Sequence, residues 1–155
     1  MPSCEFAGIG WVITIIAVFI SHRLTKQRDD LKENRKEIRA EVDKLLESVN
    51  LLRNAANDYY FPAKNDANSK RLCVDIHNHI NECDRLVAWL NKPENKIDLT
   101  NDFYDLYDTI TGGDFESIQH RPGEQHTEKC KEISIKIQSI IAKTEHWYRN
   151  QYHEQ

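Results

Sequence analysis

The sequence predicts an all-α protein, in which a single N-terminal transmembrane helix continues into a helical stalk and a small cytoplasmic helical bundle. Three observations predict it. Composition is 30% charged and 39% hydrophobic with five Gly and four Pro in 155 residues, which suits helices and not a sandwich, a collagen-like chain or a disordered tail. Apolar residues recur at helical spacing through most of the chain. The first stretch is apolar all round and ends in a basic cluster.

From Phe6 to Ser21 no residue is charged, and counting to His22 gives 17 residues. At about 1.5 Å each they cover roughly 25 Å of a ~30 Å hydrocarbon core. A secretory signal needs bases ahead of its apolar run, whereas only Glu5 is charged here and no A-x-A-like site follows, so the run reads as a retained anchor. Seven bases come next (Arg23, Lys26, Arg28, Lys32, Arg35, Lys36 and Arg39) against the four acids Asp29, Asp30, Glu33 and Glu37. The positive-inside rule then places the N-terminus outside and the C-terminal part in the cytoplasm, a single-pass protein of the inner membrane. The expected segments are an anchor over 1–22, a stalk over 23–53 and a cytoplasmic helical domain over 54–155.

Leu24, Leu31, Ile38, Leu45 and Leu52 recur every seven residues, with Val42 and Val49 as a second seam position. In the first half of the stalk that second position is Arg28 and Arg35, which suit a wet multi-helix centre or lipid phosphates. The helix should end near Asp58, ahead of Pro62. A second helix, capped by Ser69, carries Leu72, Ile76, Ile80 or His79, Cys83, Val87 and Leu90 as far as Pro93. Thr100 or Asn101 caps a third, whose apolar face is Phe103, Leu106, Tyr107 and Ile110, closed by Gly112 and Gly113. The last helix, from Gln125 to Tyr152, buries Cys130, Ile133, Ile137, Ile140, Ile141 and Trp147.

A net charge of -4 and a pI near 6.0 argue against a protein that coats long nucleic acid, and leave room for a small anionic ligand. Four cysteines are too few and too scattered for a disulfide framework, so they read as reduced thiols. Cys73 and His77, His79 and Cys83, and His126 and Cys130 each share a helix face, but lack the close Cys spacing of structural zinc sites. No metal or cofactor is expected. No Gly-rich phosphate loop, nucleophile elbow or paired-carboxylate motif occurs, so the chain does not read as an enzyme. Asp102, Asp105 and Asp108 read as the solvated side of the short third helix, a surface on which a protein partner could also be recruited.

The segment "NDYYFPAKNDANSKR" is the candidate ligand site. Tyr59 and Tyr60 offer stacking surfaces and Asn68 an amide that reads base edges. Lys64, Lys70 and Arg71 are cations beside a helix N-terminus, which attracts phosphate. Arg121, in the second loop, is a candidate of the same kind. The competing reading is a helix–helix loop whose aromatics fill the end of the core.

This layout resembles the cyclic-oligoadenylate-sensing membrane effectors of type III CRISPR antiphage defence. The resemblance implies a cyclic nucleotide ligand, cyclic tetra-adenylate, a homo-oligomer of tetrameric kind, and a lipid bilayer that ligand binding perturbs or opens. The layout is also similar to the accessory membrane protein of type VI-B CRISPR systems, which implies a HEPN-derived pore. Arg71 and His77 fit the loose Arg-x(4–6)-His pattern of the HEPN ribonucleases, a resemblance that implies a HEPN-like nuclease as the alternative, in which the pair would stabilise a phosphorane and move a proton. A non-enzymatic membrane scaffold or phage-exclusion factor is the third expectation.

Overall fold

The computed structural model describes residues 5–60, 66–113, 115 and 124–152. Among them lie four α-helices, α1 (Glu5–Tyr60), α2 (Asp66–Leu90), α3 (Thr100–Thr111) and α4 (Glu124–Tyr152), with a 3-10 turn at Pro93–Asn95 and no strand. The all-α class therefore stands. The chain divides into two compact units, Met1–Ile38 and Arg39–Gln155.

Among the described residues no helix is long and apolar enough to cross a membrane, which overturns the expected transmembrane helix. The physical reason is length. Arg23 follows the uncharged run almost at once, and 17 residues stand at the short limit of the roughly 17–25 that a span takes. The single-pass topology and inner-membrane location rested on that span.

The second unit is built on the seam the heptads predict. Val42, Leu45, Val49, Leu52 and Ala56 are fully buried along α1. From α2 come Leu72, Ile76, Ile80, Cys83, Leu86, Val87 and Leu90, so Ile80, and not the half-buried His79, takes the core position. α3 contributes Phe103, Leu106 and Ile110, and α4 contributes Cys130, Ile133, Ile137 and Ile140. Past Ile140 the expected register is corrected. Thr144 and Tyr148 are buried where Ile141 and Trp147 were expected, and those two are only half-buried. Thr144 tolerates this because its hydroxyl donates to Ile140 O at 2.8 Å. Tyr148 carries the Arg39 guanidinium over its ring at 5.1 Å, and Arg39 in turn bonds both carboxylate oxygens of Glu145 and pairs with Asp43 at 2.6 Å.

The connection between α2 and α3 is held by side-chain hydrogen bonds and two buried apolar residues, Ile97 and Leu99. Asn91 accepts from Leu99 N at 3.0 Å and donates to Thr100 Oγ1 at 2.8 Å. Asn95, itself buried, donates to Leu90 O at 3.0 Å, satisfying a carbonyl at the end of α2, and its own carbonyl accepts from Trp147 Nε1 at 2.7 Å. This explains why Trp147 lies at the core edge: its N–H reaches a partner there.

Helix ends also differ from expectation. α2 begins at Asp66, which puts Ser69 inside the helix and not at its cap. Thr100 opens α3 behind Leu99 at the N-cap, and Asp98 Oδ1, one residue earlier, accepts from Thr100 N at 2.9 Å. The Thr100 side chain first, and this backbone bond second, hold the Asp98 carboxyl below its ordinary range. The glycine stop after α3 is real. Gly112 N donates to Asp108 O at 2.8 Å, and a Cβ there would sit 2.6 Å from that oxygen, while Gly113 adopts φ +73°.

Candidate functional site

Among the described residues, the members of the predicted ligand site do not form one surface. Tyr59 and Tyr60 are 5% and 1% exposed, so no base can stack on them while the core stays closed. Tyr60 donates its phenol to Ile110 O, lies against the His126 ring at a centroid distance of 5.5 Å, and carries Lys129 Nζ over its face at 4.4 Å. Lys129 also donates to Gly112 O at 2.5 Å. Tyr59 meets Tyr60 edge-on at 4.9 Å and Phe115 at 5.2 Å. The aromatic pair thus seals the end of the bundle, as the competing reading of the segment has it. Asn68, Lys70 and Arg71 are exposed in the opening turns of α2. Lys64 and Arg121 lie outside the described residues.

The Arg71 and His77 pair does not meet within the chain. Arg71 reaches toward Asp75, 4.0 Å away, from an exposed position, whereas His77 is half-buried and edge-on to Phe115 at 5.6 Å. Six residues on a helix turn the two side chains well apart. Among the described residues no group of three His, Cys, Asp or Glu side chains is placed to hold a metal ion. Burial pushes the Cys83 thiol up to about 12 and raises that of Cys130, which removes thiolate character from both at neutral pH. On the acidic face of α3, Asp102 is half-buried and pairs with Lys143 at 2.6 Å, while Asp105 and Asp108 are exposed.

What remains is the surface of α1 in the first unit. Every residue from Ile15 to Glu37 is exposed. Ile15, Ile16, Val18, Phe19 and Ile20 are each between 53% and 65% exposed, spread over rather more than half of the helix circumference. Leu24 and Leu31, the expected stalk seam, are exposed as well. The helix itself is sound there: Thr25 Oγ1 donates to Ser21 O at 2.9 Å, and the Arg23 guanidinium folds back over the Phe19 ring at 5.8 Å. Each large apolar side chain gains about 1–2 kcal/mol on leaving water, so the five together favour any apolar medium strongly. The bases Arg23, Lys26 and Arg28 follow within two turns.

No family model matches this chain, and neither a curated protein nor a solved structure matches it.

Proposed function

We propose that this chain is a non-catalytic effector that associates with a lipid bilayer through the first part of α1 and carries a helical bundle as its sensing or recruiting part. The association is interfacial, without crossing the bilayer. The single observation behind it is the run of five large apolar side chains from Ile15 to Ile20, each more than half exposed. Bases follow directly, within reach of headgroup phosphates when the apolar side chains enter the acyl boundary.

Flotation of the full chain with phosphatidylcholine vesicles tests this. The wild-type protein is expected to float with the vesicles, and the I16E/F19E variant to lose at least about tenfold in binding while keeping its helical signal, because two charges enter the acyl boundary. Wild-type protein that stays in the vesicle-free fraction overturns the proposal. Self-association through Leu24 and Leu31, the homo-oligomer expected from the heptads, competes for the same helix. Light scattering in vesicle-free buffer separates the two.

Cyclic-nucleotide sensing in antiviral defence is the second reading, supported by the exposed Asn68, Lys70 and Arg71 at the start of α2. With the tyrosines in the core, such a ligand would be held through its phosphates and base edges and not by stacking. Calorimetric titration with cyclic tri-, tetra- and hexa-adenylate is its test. Ring-size-specific binding that K70A/R71A abolishes supports it, and a flat titration removes it.

A further inference from the structure

We infer that the part of α1 from Ile20 to Lys32 recognises anionic lipid headgroups, an inference that rests on the bilayer association proposed above and names its ligand class. The observation is the sorting of side chains around the helix. Ile20, Leu24, Arg28, Leu31 and Arg35 follow one another at spacings of three or four, so they form one stripe, and Lys32 stands one turn beyond Arg28 on the same side. The acids Asp29, Asp30, Glu33 and Glu37 are spaced to fall on the opposite side. All of these residues are exposed. Net charge over the stretch is small, but the leucine-bearing side carries Arg28, Lys32 and Arg35 with no acid, whereas the other side mixes the four acids with Arg23, Lys26 and Lys36.

A leucine-bearing basic face has a specific counterpart. The leucines reach acyl chains while the Arg and Lys stems lie along the boundary and place their cations at lipid phosphates. A second copy suits it poorly, because two such stripes laid together would set Arg28 and Arg35 near their own copies in a drying interface. A nucleic acid offers phosphates for the bases but leaves Leu24 and Leu31 in water.

The test is flotation of the full chain with vesicles of phosphatidylcholine alone and with phosphatidylglycerol added, for wild type and R28Q/K32Q. Glutamine has nearly the helix preference of Lys and Arg, and both positions are exposed, so the helix is retained. The wild type is expected to bind the anionic vesicles about tenfold more tightly or better, since a base near an anionic surface contributes about fivefold. R28Q/K32Q is expected to lose on the order of tenfold of that preference, measured as the ratio of its binding to the two compositions. Equal wild-type binding to both compositions overturns the headgroup inference and leaves bilayer association standing, as does a preference that survives in R28Q/K32Q. An oligomer in vesicle-free buffer that the double variant dissociates assigns the stripe to a second copy and overturns it too. Absence of binding to either composition removes the bilayer association itself.

Discussion

Replacing Tyr60 by alanine is expected to destabilise the bundle by about 3–5 kcal/mol, the range for truncating a large buried aromatic. Tyr60 is 1% exposed, and its loss removes more than volume. Its phenol donates to Ile110 O, one of the last carbonyls of α3, which have no partner within their own helix. Its ring carries Lys129 Nζ on its face and packs against His126. Y60F keeps the ring and loses only the donor, so it is expected to cost about 1–2 kcal/mol. Urea unfolding followed by circular dichroism separates the two variants by their midpoints. A Y60A protein within about 1 kcal/mol of wild type would show that this end of the bundle is not packed as described. The same measurement guards the nucleotide reading, since ligand binding lost in Y60A would report loss of the fold and not of a stacking platform.

Leu106 to alanine is expected to cost about 2–5 kcal/mol. α3 has 12 residues, too few to hold a helix in water alone, so it persists by burying Phe103, Leu106 and Ile110. Leu106 is the central one of these and fully buried. The expected result is a lower urea midpoint with an unchanged slope, and faster amide exchange concentrated in α3, because the cavity weakens the element with the least apolar contact of its own. Unchanged exchange in α3 beside a lower global stability would mean that α3 is not a separately weak element. For a domain whose net stability is ordinarily about 5–15 kcal/mol, either substitution removes a large share.

Much of the bundle was legible because heptad and helical spacing depend only on which side of a helix is apolar. Val42, Leu45, Val49 and Leu52 followed directly, and so did Phe103, Leu106 and Ile110 with the glycine stop after them. The spacing was misleading where a side chain has two natures. Trp147 is large and apolar, yet lies at the core edge because its N–H bonds Asn95 O. Thr144 is polar, yet is buried because it satisfies itself on Ile140 O. The bond from Thr100 N to Asp98 was missed because Asp98 stands two residues ahead of the first helical turn that the spacing marks. Ile97 and Leu99 were missed because a connector of nine residues, interrupted by a 3-10 turn, has no helical periodicity to read.

The candidate sites divide the same way. Tyr59 and Tyr60 beside cations look alike in sequence whether the rings stack on a base or on their own protein, and only the packing of α3 and α4 around them decided that they face inward. The sequence by itself determined the all-helical class, the buried seam of α1 and the order of apolar and basic groups at its start, since each is a property of one helix. Which aromatics are core and how the connector is satisfied were decided by tertiary structure alone. They depend on groups brought together from helices distant in the chain, as Tyr60 and Ile110 or Trp147 and Asn95 are, and no local spacing encodes such a meeting.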